Sequence, residues 1–213
     1  MSQPQQPPQH KLRIGVLGSG SGTNCQALLD ACAKPDFPAE IVVVISDVEG
    51  AKILDRARQA GVEARWIAPG KFRTKLEPEV EQRYVAVLRQ HNVELICLAG
   101  FMRVLKDDFL KAFPVRVINI HPALLPAFPG LESWKQALDH GARVAGCTVH
   151  FVDTGVDSGP IILQAAVPVI DSDTAQTLHA RIQVEEHRIY PEAVRLIAEG
   201  RLRIEGRRVL RRE

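Results

Sequence analysis

The chain is predicted to fold as a single α/β domain, an open, mainly parallel, twisted sheet with helices on both faces and a Rossmann-like, nucleotide-binding N-terminal half. Three observations carry that prediction. Short β-branched runs alternate with stretches of helical spacing, the pattern that builds right-handed crossovers and a mainly parallel sheet. A glycine-rich segment, Gly18-Ser19-Gly20-Ser21-Gly22-Thr23-Asn24, joins the first such run to the first helical stretch. With 213 residues, 46% of them hydrophobic, one domain can bury a sizeable core.

Met1 to Gln9 is rich in Gln and Pro and carries no charged side chain, so residues 1–10 read as a disordered extension and not as a signal or transit peptide. Lys11 to Leu17 is the first, central strand. Behind the glycine segment, Cys25 to Ala33 is a helix with Leu28 and Leu29 inward, stopped by Pro35. Strand, glycine loop and helix make an anion site: glycines let the backbone come close, and a helix N-terminus offers free N–H groups and partial positive charge. The dinucleotide pattern G-x-G-x-x-G fails, since counting from Gly18 puts Thr23 at the third glycine and counting from Gly20 puts Cys25 there. The ATP-loop pattern G-x-x-x-x-G-K-(S/T) is absent. A single phosphate fits better, although Asp47, closing the strand Ile41 to Ser46, imitates a ribose-binding acid.

Lys52 to Ala60 is a helix ended by Gly61, and Glu63 to Ile67 a short strand. A basic loop, Lys71-Phe72-Arg73-Thr74-Lys75, lies between Pro69 and Pro78. Val80, Tyr84, Val87, Leu88 and His91 share one face, so Glu79 to His91 is a helix laid on the sheet, with His91 where the dipole favours it. Leu95 to Leu98 is the next strand. The apolar turn after it, Gly100 to Leu105, suits either a wall for a flat aromatic ligand or plain core around a buried Arg stem.

Val115 to Ile118 is a buried strand, so Asn119 and His121 emerge at its carboxyl end, where open α/β sheets bind ligands. Spaced i, i+2, they leave the same face, and Pro122 holds His121 extended. An amide and an imidazole on a stiff backbone suit chemistry at a carbonyl: the amide polarises the oxygen and the imidazole moves a proton. A capped strand beside an ordinary histidine is the plainer alternative. Trp134 to His140 is a short helix, and Val144 to Val152 a strand in which His150 reads as a hydrogen-bonded strand residue. Asp153 and Asp157 lie in a loop whose turns alone would explain them. Ile161 to Ile170 is a strand, and Thr174 to Ile189 a long helix capped by Asp171 or Asp173, with Glu185 and Glu186 on its solvated face. Leu202 to Leu210 forms a hairpin over Glu205-Gly206, overlapping a basic tail at 206–213.

Lys plus Arg exceed Asp plus Glu by two, which argues against a nucleic-acid partner. Seven basic residues crowd Arg195 to Arg212, but no aromatic residue interleaves them, so they read as solvated. Cys25, Cys32, Cys97 and Cys147 form no C-x-x-C pair and read as reduced core thiols of a cytosolic protein. No run approaches the roughly 18 apolar residues that span a bilayer.

The order of the motifs carries a resemblance. Asn119-Ile120-His121-Pro122-Ala123-Leu124-Leu125-Pro126, then Phe128-Pro129-Gly130, then Asp157-Ser158-Gly159-Pro160, is similar to the signature of the folate-dependent formyltransferases, with likeness over residues 12 to 205. The branch it most resembles has glycinamide ribonucleotide as acceptor. The resemblance implies a single formyltransferase domain over 11–205 that moves the formyl group of 10-formyltetrahydrofolate to the amine of that nucleotide, a step of purine synthesis. Gly22, Thr23 and Asn24 would hold the phosphoribosyl end and Glu186 the amine end. Lys75, with Arg73 competing, would hold formyl-folate together with Met102, Arg103, Val104, Leu105, Asn119, Asp153 and Asp157. His121 and Asn119 would stabilise the oxyanion, and Asp157 would raise the His121 pKa toward or above neutral. The chemistry needs no metal and no covalent nucleophile. The partners implied are two small molecules, with neither nucleic acid nor membrane, and a cytoplasmic monomer or homodimer. Three rivals stand beside it: a formyltetrahydrofolate hydrolase, for which an N-terminal regulatory domain is expected; a methionyl-tRNA formyltransferase, for which a C-terminal RNA-binding domain is expected; and a non-catalytic nucleotide-binding module.

Overall fold

The computed structural model describes residues 10–212. The alternation expected from the sequence appears as β1 (Leu12–Leu17), α1 (Thr23–Cys32), β2 (Ala39–Ser46), α2 (Lys52–Gln59), β3 (Glu63–Trp66), α3 (Pro78–Gln90), β4 (Leu95–Leu98), α4 (Asp107–Ala112) and β5 (Val117–His121). The second half continues as α5 (Ser133–Asp139), β6 (Val144–Phe151), β7 (Ile161–Pro168), α6 (Ala175–Ala198), β8 (Leu202–Glu205) and β9 (Arg208–Arg211). All the strands join one sheet in the order β3-β2-β1-β4-β5-β6-β7-β9-β8. Pairing is parallel from β3 across to β5 and antiparallel at β5–β6 and β6–β7. The build reverses direction between β1 and β4, the kind of switch point where loops part and a ligand can enter.

Each face of the sheet buries its own core. Leu28, Leu29, Ile53, Leu54, Ala137, Leu178 and Ile182 bring α1, α2, α5 and α6 onto one face. On the other, Val80, Tyr84, Leu88, Phe109 and Phe113 bring down α3 and α4. Tyr190, fully buried on α6, donates to the Leu98 carbonyl at 2.9 Å, with the Ile118 carbonyl at 3.3 Å, so the long helix is tied to the ends of β4 and β5.

Several expected boundaries move, each for a local reason. The strand expected from Val115 begins at Val117, because Val115 is 63% exposed and its φ of 57° lies in the left-handed region. Its other end extends through Asn119 to His121, because these polar residues pair with β6 in the register Asn119–His150 and His121–Thr148. The six-residue α4 has too few turns to show a period and was not expected. Helix α6 does not stop before Tyr190-Pro191 but runs to Ala198. The backbone bond lost at Pro191 is outweighed by burial of Tyr190, Ala193, Val194 and Leu196. Its cap is Thr174, which accepts from the Thr177 N–H at 3.2 Å, while Asp173 instead binds Arg181. Arg208–Arg211 is strand β9, so the basic segment expected as a tail is part of the sheet. The expected N-terminal extension lies outside the described residues except for His10. Among the described residues no helix is long and apolar enough to cross a membrane.

Candidate active site

β5 delivers the two polar residues expected of it on one face, Asn119 half-buried and His121 buried. The chain that follows is pinned from several sides. Thr148 Oγ1 donates to the Ala123 carbonyl at 2.6 Å and accepts the Leu125 N–H at 3.1 Å, and Ser133 Oγ donates to the Pro122 carbonyl at 2.8 Å. The Leu125–Pro126 peptide is cis. His121 is thus held by its own strand and by the turn beyond it. Its Nε2 lies 3.0 Å from the Phe128 carbonyl, which can only accept, so that nitrogen carries a proton. Nδ1 faces Asp157 Oδ2 at 3.4 Å.

Asp157 reaches this place through a strained turn. Its φ is 49°, left-handed, which Asp tolerates better than most residues. At Gly159 a Cβ would sit 1.8 Å from the Phe151 carbonyl, so the Asp-Ser-Gly-Pro turn closes on the sheet only with glycine. Asp157 Oδ2 also accepts the Gly130 N–H at 2.8 Å. Burial alone would raise its carboxyl, but hydrogen bonding from His150 and Gly130, with His121 nearby, holds it below the usual carboxylate range.

His150 is the hydrogen-bonded strand residue expected, and its bonds bring it into the cluster. Its Nε2 lies 3.3 Å from Asn119 Nδ2 and 3.7 Å from Asp157 Oδ1, while Nδ1 donates to the Phe151 carbonyl at 2.8 Å. The Nε2 proton decides whether the ring accepts from Asn119 or donates to Asp157. The signal available in sequence was its register opposite Asn119, which exists only once β6 pairs with β5.

The expected rise of the His121 pKa is not found. Burial pushes it below its ordinary value, and the Phe128 carbonyl and Asp157 oppose that shift without reversing it. With the Phe128 carbonyl at one ring nitrogen and Asp157 at the other, the pair can take up a proton, and the imidazolium then has an acceptor at each nitrogen.

At the switch point, α1 starts at Thr23, two residues earlier than expected. Gly22 is its N-cap with φ 72°, and a Cβ there would meet Ile53 at 2.8 Å, so only glycine fits. No side chain caps the helix, which leaves its first N–H groups available to an anion. Asn24 Nδ2 donates to Glu186 Oε2 at 2.9 Å, and Asn24 Oδ1 is buried with no partner. Burial pushes the Glu186 carboxyl above its ordinary value, partly offset by Asn24. Glu186 is therefore not on a solvated face, and its hydrogen bond joins it to the glycine loop. Thr23 also borders a cleft of about 570 Å³ between α1, α2 and α6; none of the His121 cluster lines it.

The segments expected to hold folate divide into exposed and committed residues. Met102 and Val104 are 54% and 46% exposed after β4. The Leu105 side chain is buried in the core with Phe109. Arg103 gives its Nε to Asp47 and its Nη1 to the carbonyls of Phe72 and Arg73. Asp153 Oδ1 accepts from Ser158 Oγ at 2.6 Å and from the Gly155 N–H at 3.1 Å, the turn-forming reading. Between the two basic candidates, Lys75 bridges to Val104 and lies 4.4 Å over the Phe72 ring, whereas Arg73 offers its carbonyl to Arg103. Among the described residues no group of three or more His, Cys, Asp or Glu could hold a metal ion.

Comparison with known proteins gives the arrangement a context. The formyl transferase family profile matches residues 12–194. The trifunctional purine biosynthetic protein adenosine-3 of Gallus gallus is 45% identical over 197 residues, covering 92% of this chain and 19% of that protein. The chain thus spans a small part of the length of such multifunctional relatives. The phosphoribosylglycinamide formyltransferase of Bacillus subtilis (strain 168) is 39% identical over 183 residues, 86% of this chain and 93% of its own length. The crystal structure of glycinamide ribonucleotide transformylase 1 from Symbiobacterium toebii superposes with a TM-score of 0.93 at 54% identity, covering all of both chains.

Proposed function

Because the chain belongs to the formyl transferase family, we propose that it transfers the formyl group of 10-formyltetrahydrofolate to the amine of glycinamide ribonucleotide, as a soluble enzyme of the cytoplasm. The observation that carries this reading is the meeting of Asn119, His121 and His150 around Asp157 at one end of β5 and β6, with contacts of 3.3 Å between Asn119 and His150, 3.4 Å between His121 and Asp157 and 3.7 Å between His150 and Asp157. Formyl-folate supplies an activated one-carbon unit, and the protein supplies orientation and proton handling.

Each group in the cluster has a task that its chemistry fits. The Asn119 amide, its direction fixed by His150, donates to the oxyanion that forms as the amine attacks the formyl carbon. The His121–Asp157 pair takes up the proton that the amine releases, and the imidazolium returns it to the leaving folate nitrogen. No residue needs to bond to the formyl group, so holding two substrates in register accounts for much of the acceleration. The uncapped start of α1 at Gly22, Thr23 and Asn24 suits the phosphate. The Asn24 oxygen and the Glu186 carboxylate are both acceptors and suit hydroxyl or amine donors of the nucleotide. Exposed Met102 and Val104, with Lys75 beside them, suit the flat ring and the acidic tail of a folate.

The test is folate turnover by the purified chain with and without the nucleotide. Dependence on glycinamide ribonucleotide supports transfer. Equal turnover without it, yielding formate, identifies a hydrolase and removes the role given to Glu186 and the glycine loop.

A further inference from the structure

Asp47 stands just beyond the carboxyl end of β2, and its side chain is 1% exposed. A carboxylate buried this deeply is costly unless both oxygens are matched. Oδ1 accepts from Ser19 Oγ at 2.5 Å, and Oδ2 accepts from Arg103 Nε at 2.7 Å. Each partner carries the connection outward. Ser19 Oγ accepts the Met102 N–H at 2.9 Å, and the Ser19 N–H donates to the Gly100 carbonyl at 3.0 Å, so the glycine loop and the turn after β4 are joined twice. Arg103 donates to the carbonyls of Phe72, at 2.7 Å, and Arg73. The Val104 N–H donates to the Thr74 carbonyl at 2.9 Å, which fastens the loop bearing Lys75.

We propose that Asp47 is a positioning residue for both substrates, one buried carboxylate that holds the glycine loop and the two folate-side segments in a common register. The proposal rests on the formyl-transfer reading above. Asp47 has no exposed surface left for a ligand; it acts through Ser19 and Arg103. Removing it deprives the Arg103 guanidinium of its counter-charge and releases the Phe72–Arg73 backbone toward solvent. It also frees the Ser19 hydroxyl, on which the Met102 N–H depends. The affected groups all lie on the binding surfaces and none belongs to the His121 cluster, so the loss falls on KM for both substrates more than on kcat.

The test is steady-state transfer by Asp47→Ala, Asp47→Asn and Ser19→Ala, with each substrate varied at saturating levels of the other. Asp47→Ala is expected to raise both KM values about tenfold, the scale of a lost charge-assisted hydrogen bond, with kcat within about threefold. Asp47→Asn still offers an oxygen to Arg103 and falls between alanine and wild type. Ser19→Ala leaves the ion pair intact and raises both KM values about threefold; with Asp47→Asn it decides the matter if Asp47→Ala does not fold. An active wild type whose folded variants keep both KM values overturns the proposal alone, as does a change in one KM only or a loss confined to kcat. A wild-type chain that transfers no formyl group overturns the functional reading and this proposal with it.

Discussion

Asp157→Asn probes the proton-handling pair with little disturbance of the fold. Asparagine accepts the left-handed backbone that Asp157 adopts at φ 49°, and its side-chain oxygen can still accept the Gly130 N–H. What disappears is the negative charge 3.4 Å from His121 Nδ1. At that separation, with an effective dielectric near 20, the direct attraction to an imidazolium is about 5 kcal/mol. Burial, the largest influence on His121, already opposes the charged ring and cancels part of that attraction. A net loss of roughly 2 to 4 kcal/mol in the proton-transfer step corresponds to a fall in kcat of roughly 30- to 1000-fold. The assay is steady-state formyl transfer near pH 7.5, with nucleotide affinity measured separately by calorimetry and expected to hold. A folded Asp157→Asn protein with kcat within threefold of wild type would refute the reasoning, because the charge would then do nothing for the imidazolium.

Three further outcomes follow from particular contacts. His150→Ala removes the ring that orients Asn119, and kcat/KM is expected to fall about tenfold while KM for the nucleotide stays; equal kcat/KM would show that Asn119 is held by its backbone alone. Glu186→Gln keeps an acceptor for Asn24 but removes a buried charge; in thermal melts at pH 8 the midpoint is expected to rise by about 2 to 4 °C, the scale of 1 kcal/mol here, while KM for the nucleotide rises. His121, His179 and His187 all have pKa values lowered chiefly by burial, so each favours the fold above its unfolded value near 6.5. Below about pH 6.5 the unfolded chain binds protons that the fold excludes, and that stability is lost as pH falls toward the lowered folded values; melts from pH 8 to 5 should show the midpoint falling across this window. Glu186, raised, works in the opposite sense, and a midpoint that climbs as pH drops from 6.5 would contradict the histidine reading.

What could be read before the fold was known tracks how local the cause is. The glycine loop at Gly22 and the Asn119–His121 spacing are properties of a few adjacent residues, and both lie where the pattern places them. His150 and Glu186 depend on partners far along the chain, Asn119 across the β5–β6 pairing and Asn24 across the α1–α6 contact, so local pattern marks neither, and Glu186 is named only through the family resemblance. The contacts of the Arg103 and Leu105 side chains are hidden for a related reason: Asp47 pairs with one and the α4 core encloses the other, and neither partner shows in the local pattern. At Pro191 a dependable local stop signal yields to packing spread over Tyr190 and the residues beyond it. The His121 shift was expected in the wrong direction because a nearby carboxylate was anticipated but the depth of burial was not.

The most direct test of formyl transfer is the fate of an isotopically labelled formyl group. Incubated with labelled 10-formyltetrahydrofolate and glycinamide ribonucleotide, the protein is expected to move the label into the formamide of the nucleotide, one for one with the tetrahydrofolate released. Label recovered as free formate, with the nucleotide unchanged, would contradict the assignment of Asn119, His121 and Asp157 to transfer between two bound substrates.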